Sequence, residues 1–208
     1  MSPGWRRTSS GCDGWSDQRP PRWPDPDRPQ QMHLDVFVAD LAATDTLVVR
    51  SGATPLQDRG AFRTYADPFG HPFCLYEQPS PAAGAGRPPG VLGRIVIDCD
   101  DPSALADFYA GLLGMPRTGE DGPDRVTLAG GDGSGPALAF QRARYVPPRW
   151  PDPAYPAQMH LDLSFGDARA ARQRAERLGA IRLDGGGEGC PVYADPAGHP
   201  FCLWTPGQ

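Results

Sequence analysis

The stretch YADPAGHPFCLW, Tyr193–Trp204, occurs earlier in the chain as YADPFGHPFCLY, Tyr65–Tyr76. A second pair stands upstream of each copy: PPRWPDPDRPQQMHLDVFV from Pro20 and PPRWPDPAYPAQMHLDLSF from Pro147. The first histidines, His33 and His160, lie 127 residues apart, and the later ones, His71 and His199, lie 128 apart. Two matches of this length in near-perfect register identify an internal duplication with one residue gained or lost.

Working outward from the duplication divides the chain into four stretches. Residues 1–19 carry no apolar pattern, and 20–78 hold the first copy. PSPAAGAGRPPG, 79–90, has the composition of a flexible linker. Residues 91–208 run on as one unit. Val91–Val146 has no counterpart ahead of Pro20, so 20–78 reads as the back half of a domain whose front half is absent. Such a fragment exposes an apolar face and a sheet edge that need a cover, from 91–208 or from a second chain as a homodimer. A mis-assigned start codon or a frameshift, hiding a front half upstream, accounts for it equally well.

Each module reads strand, helix, then further strands. RIVIDC, 94–99, is a strand, followed by a helix with Asp101 as N-cap, Pro102 at its first position and Gly114 after its last turn. Leu105, Phe108, Tyr109 and Leu112 fall on one face of that helix. RVTLAG and PALAFQR are two further strands, joined by GGDGSG at 130–135 as a hairpin connection. QMHLDLSF is a strand, and the next helix runs from the cap Asp167 to a stop at Gly179, with Ala171, Ala175 and Leu178 on its apolar face. Strands follow near Ile181, at CPVYAD and at PFCLW. The fold class is α+β, in βαβββ modules.

Composition narrows the function classes. The chain has 208 residues and a net charge of −5. With no basic stripe, this argues against a nucleic-acid partner. No run of about 18 apolar residues and no secretory signal is visible, which points to a cytoplasmic protein without a membrane span. All 20 cationic residues are arginine, a bias that suits a GC-rich bacterial genome and excludes lysine chemistry. Five cysteines without a disulfide framework read as reduced thiols.

Tandem βαβββ modules closed by DPAGHPFCLW, with IVIDCDDPSALADFYAGLLG ahead, resemble the vicinal oxygen chelate superfamily. It includes glyoxalase I, extradiol dioxygenases and bleomycin-binding proteins, and the likeness is greatest to glyoxalase-like members of unassigned activity. The resemblance implies a cupped β-sheet, complete over 91–208 and incomplete over 20–78. In catalytic members the cup holds a divalent metal on residues from the first and a late strand of each module.

In QMHLDLSF, alternation puts His160, Asp162 and Ser164 on the polar face, opposite Met159, Leu161, Leu163 and Phe165. By the resemblance, His160 occupies the first-strand ligand position and Arg94 its front-module equivalent. Arginine has no lone pair to give a metal, but it binds carboxylates and phosphates. Gln141 and Cys202 occupy the late-strand positions, Cys202 where relatives carry glutamate. The four glutamates, Glu77, Glu120, Glu176 and Glu188, all lie elsewhere.

Two functions stay open, with a third behind them. In the first, the protein is a metal-independent binder of a small, anionic molecule, contacted by Arg94, Asp98, Gln141, His160, Asp162, Cys202 and Trp204. In the second, it is a metal-dependent lyase, isomerase or dioxygenase. His160, Gln141 and Cys202 would then hold Zn, Ni, Mn or Fe, and Asp98 or Asp162 would move a proton. The third is a truncated gene product without activity. His71 and His199 read as turn caps or solvent-facing residues, and PPRWPDP as an arm between modules anchored by Trp23 or Trp150.

Overall fold

The computed structural model describes residues 20–78, 90–130, 135–150, 152–183 and 191–205. The segment 1–19, nearly all of the linker and most of the GGDGSG turn lie outside the described residues.

Three units share the order strand, helix, three strands. The first has β1 (Met32–Val38), α1 (Leu41–Arg50), β2 (Thr54–Asp58), β3 (Phe62–Ala66) and β4 (Pro72–Glu77). The second has β5 (Gly90–Cys99), α2 (Pro102–Leu113), β6 (Arg117–Asp121), β7 (Arg125–Leu128) and β8 (Ala137–Arg142). The third has β9 (Leu161–Ser164), α3 (Ala168–Arg177), β10 (Ile181–Arg182), β11 (Val192–Ala194) and β12 (Pro200–Trp204). Each helix starts at an aspartate whose side chain accepts from backbone N–H groups of the first turn: Asp40 from Ala43, Asp101 from Ser103 and Ala104, and Asp167 from Ala170. Gly114 ends α2 at φ 71°, a left-handed conformation that glycine adopts without strain.

The strands form an eight-stranded sheet in the order β2-β3-β4-β1-β5-β8-β7-β6 and a four-stranded sheet, β10-β11-β12-β9. The seam of the larger sheet is antiparallel β1–β5, with Leu34 opposite Ile95 and Asp35 opposite Arg94. A bulge follows: Val36 faces Leu92, so Gly93 is the extra residue. The Phe37 ring lies across it, and a Cβ at Gly93 would come 2.3 Å from that ring.

This seam corrects one expectation. The resemblance implies a complete cup within 91–208. The sheet instead joins unit one to unit two. Units two and three meet through their helices, around a core that includes Ile97, Phe108, Tyr109, Leu112 and Phe140 from one and Ala175, Tyr193, Phe201 and Leu203 from the other. Leu178 packs against Gly111, where a Cβ would come 3.1 Å from the leucine. The Tyr109 hydroxyl donates to the buried Asp195 at 2.9 Å. Unit one has its own small core of Val38, Leu41, Tyr65 and Leu75.

The two arms are built alike: Arg22 N–H donates to Arg28 O, and Arg149 N–H to Tyr155 O, each at 2.9 Å. The two later histidines differ. His71 is part-exposed, while His199 is fully buried and stacked on Tyr145 at 5.2 Å. The turn caps are the aspartates instead: Asp67 and Asp195 accept from the backbone N–H groups of His71 and His199.

Candidate functional site

One face of the seam collects polar side chains from both units. His33 and Asp35 stand two apart on β1 and face the same way, with Cys74 beside them because β4 runs parallel to β1 with Cys74 opposite Asp35. From unit two come Arg94 and Asp98 on β5, Gln141 on β8 and Arg125 on β7, the last two paired in register.

These groups close a ring. Asp35 Oδ2 accepts from Arg94 Nε at 2.8 Å and from Arg125 Nη2 at 3.5 Å. Arg125 Nη1 donates to Gln141 Oε1 at 3.3 Å, and Gln141 Nε2 donates to Asp98 Oδ1 at 2.7 Å. The Gln30 amide also bonds Asp98 and lies 3.0 Å from His33 Nδ1. His33 Nε2 returns to Asp35 Oδ1 at 3.4 Å. The Arg94 guanidinium is held over aromatic faces, 4.9 Å from the Tyr76 centroid and 5.3 Å from that of Phe37. Cys74 Sγ lies 3.4 Å from Thr64 Oγ1.

Burial and charge set the protonation states. Asp35 is fully buried. Burial alone would raise its carboxyl, but the bond to His33 and the charges of His33, Arg94 and Arg125 hold it below the ordinary range. Burial works to lower the His33 imidazole; hydrogen bonds to Asp35 and Cys74 outweigh this and raise it to about 9. Asp98 is pushed up by burial, against hydrogen bonds from Gln30 and Gln141. At neutral pH the cluster holds three cations, Arg94, Arg125 and His33. Two carboxylates oppose them, one of which is driven toward its neutral form.

His33, Asp35 and Cys74 place a nitrogen, an oxygen and a sulfur within 4.8 Å of one another, and His160, Asp162 and Cys202 do the same on the four-stranded sheet. The first set fits a divalent metal poorly. Asp35 Oδ1 is buried and its one charged neighbour is His33 Nε2 at 3.4 Å, a long contact that leaves the oxygen open to a second cation. Two guanidiniums already hold the other oxygen of that carboxylate, and His33 keeps its proton through the neutral range. A dication would meet both arginines and would first have to displace that proton.

The expected contacts therefore do not converge. Arg94, Asp98 and Gln141 lie in the seam of the larger sheet. His160, Asp162, Cys202 and Trp204 lie on the smaller one, in the positions that His33, Asp35, Cys74 and Tyr76 hold in unit one. His160 Nε2 is 3.3 Å from Asp162 Oδ1, and Asp162 is largely exposed. The residues that sequence reasoning passed over are His33, Asp35 and Cys74. The duplication was the signal for them, since each is the copy of a residue singled out in the later module. Arg125 and Gln30 carried no such signal.

A family model described as glyoxalase-like domain matches residues 4–76 and 94–204. Among solved structures, glyoxalase I from Zea mays superposes with a TM-score of 0.62 at 19% identity, over 84% of this chain and 67% of that one. A variant of the same enzyme gives 0.61 at 18%, over 85% and 69%. A Bacillus subtilis protein provisionally named a dioxygenase gives 0.54 at 15%, over 86% and 63%. The chain thus spans about two thirds of the length of these proteins, and the likeness establishes the fold. No curated protein matches the sequence.

Proposed function

The chain belongs to the glyoxalase-like domain family, in the vicinal oxygen chelate superfamily, and we propose that its eight-stranded sheet cups a small anionic molecule without a metal. One observation carries the reading: the fully buried Asp35 carboxylate is held by Arg94, Arg125 and His33 at 2.8, 3.5 and 3.4 Å. Carboxylate recognition is already built on the cup floor, by one internal carboxylate. An incoming carboxylate or phosphate would find guanidiniums pre-aimed by Tyr76, Phe37 and Gln141, and a cluster whose charge favours it. Asp98, raised by burial, and His33 would position the ligand by hydrogen bonds. The protein is read as cytoplasmic; no helix among the described residues is long and apolar enough to cross a membrane.

The second reading, a metal-dependent lyase, isomerase or dioxygenase, rests on Asp35 Oδ1 and the convergence of His33, Asp35 and Cys74. One experiment separates the two. Metal-stripped protein is titrated with oxalate and with inorganic phosphate while Tm is followed, and its metal content as purified is measured. The first reading expects Tm to rise with either anion in the parent protein and to stay flat in Arg125→Met. Stoichiometric metal that disappears in His33→Ala would overturn it, as would a Tm indifferent to both anions.

A further inference from the structure

The turn DPxGHP is built twice, and only one copy is sealed inside the protein. Each time the aspartate accepts from backbone N–H groups two and four residues on: Asp67 from Phe69 and His71, Asp195 from Ala197 and His199. Each time the histidine Nδ1 lies 3.5 Å from a carboxylate oxygen of that aspartate. In unit one the His71 and Asp67 side chains are 24% and 36% exposed, so water reaches both. In unit three the His199 and Asp195 side chains are 1% and 0% exposed.

Unit two supplies the cover. The Tyr109 hydroxyl on α2 donates to Asp195 Oδ2. The Tyr145 ring, just past β8, stacks on the His199 imidazole, and its hydroxyl donates to the Ala197 carbonyl. Two tyrosines that follow the strands and helix of unit two thus hold the turn of unit three.

The enclosed groups are matched in charge only when His199 carries a proton. Asp195 accepts from the Tyr109 hydroxyl and from two backbone N–H groups, all neutral donors. Among the described residues its one ion-pair partner is His199. The other neighbours supply no cation. Burial, and after it the Asp195 charge, push the Tyr109 and Tyr145 hydroxyls up. Burial, then Asp98 and Asp195, raise the Cys99 thiol on β5 to about 12. Asp98, also on β5, is pushed up by burial and drawn back by hydrogen bonds and by the charges of His33 and His199. Uncharged, His199 leaves a buried carboxylate without a counter-ion, and neither of its ring nitrogens makes a hydrogen bond. Charged, it turns an N–H toward Asp195 and completes a charge-assisted pair.

We propose that His199 and Asp195 form a proton-operated latch between units two and three, closed while the imidazole is protonated and loosened as rising pH removes that proton. Opening returns the carboxylate to water, where it needs no counter-ion, so the proton on His199 favours the closed form. The latch is strongest at acid pH. His71, already solvated in unit one, has no such effect.

The test follows hydrogen exchange at Tyr109–Leu112 and Phe201–Leu203, corrected for the intrinsic pH dependence of exchange. The pH is raised from about 5.5 to about 8, across the range in which histidine changes charge. In the parent protein, exchange at these amides should speed up by on the order of 10-fold. In His199→Phe, which keeps a ring against Tyr145 but carries no proton, it should stay flat; the difference between the two proteins separates the latch from His33. His71→Phe should keep the parent's response. The same acceleration in His199→Phe overturns the proposal, and so does its loss in His71→Phe. Nitrogen-15 shifts of the His199 ring in the parent give a second route that needs no variant. An imidazolium at about pH 5.5 that has lost its proton by about pH 8 supports the latch, and a ring with the same charge at both overturns it.

Discussion

Gln31 and Gln158, the same residue in the two copies, bind each other reciprocally across the centre of the molecule, backbone N–H to side-chain oxygen, at 2.9 Å in both directions. Gln31 Nε2 also reaches the carbonyls of Val146 and Pro156, and Gln158 Nε2 that of Pro29. Neither glutamine would arouse interest on a sequence scan, yet together they fasten the two arms.

Gln31→Ala leaves the Gln158 N–H and two carbonyls without their partner. The expected loss is about 1–3 kcal/mol, the cost of a stranded, largely buried polar group. Each substitution removes different bonds, the side-chain oxygen of one residue to the backbone N–H of the other, so Gln31→Ala with Gln158→Ala should cost about the sum of the single changes. Urea unfolding of the four proteins checks this.

Stability should fall as pH rises past neutrality. The folded pKa of His33, about 9, lies above the unfolded value of 6.5. Its contribution is therefore fully present below about pH 6.5 and is lost as pH rises through 9. The full effect is on the order of 3 kcal/mol. Tm measured from pH 6 to pH 9.5 should decline more steeply in the parent than in His33→Gln; parallel curves would contradict the assignment.

Arg94→Met removes the nearest partner of a fully buried carboxylate. Stranding such a charge costs about 3–5 kcal/mol, partly relieved here by Arg125 and His33. Adding Asp35→Asn should recover part of the loss, because the residual charge is then gone. A double-mutant cycle by denaturation gives the coupling, and additive losses would mean that the 2.8 Å contact contributes little.

Gly93→Ala should destabilise by about 1–3 kcal/mol, as for other overpacked sites, because a Cβ there meets the Phe37 ring at 2.3 Å. Gly93→Ala with Phe37→Leu should recover stability, since leucine leaves room for the methyl group. Chemical denaturation of both proteins decides it.

The local features were legible because they depend on neighbours in the chain. Asp101, Pro102 and Gly114 announce the start and end of α2, and the duplicated MHLD and HPFCL announce matching strands. The partner of β5 was not legible, because β1 and β9 present nearly the same residues to it. Packing between distant segments decides: Phe108, Tyr109 and Gly111 commit α2 to unit three, which leaves the strand edge of unit two for unit one. Arg125 was missed because its meaning comes from its register with Gln141, and β6 because RTGED has no strand alternation.

The closed ring around Asp35 has a consequence for selectivity. On the proposed reading the cup carries its own counter-ion, so an incoming acid competes with Asp35 for the guanidiniums of Arg94 and Arg125. Binding is then a substitution of one acid for another. Weak or singly pointed acceptors lose that contest, and molecules offering two oxygens in a plane, or a doubly charged group, win it.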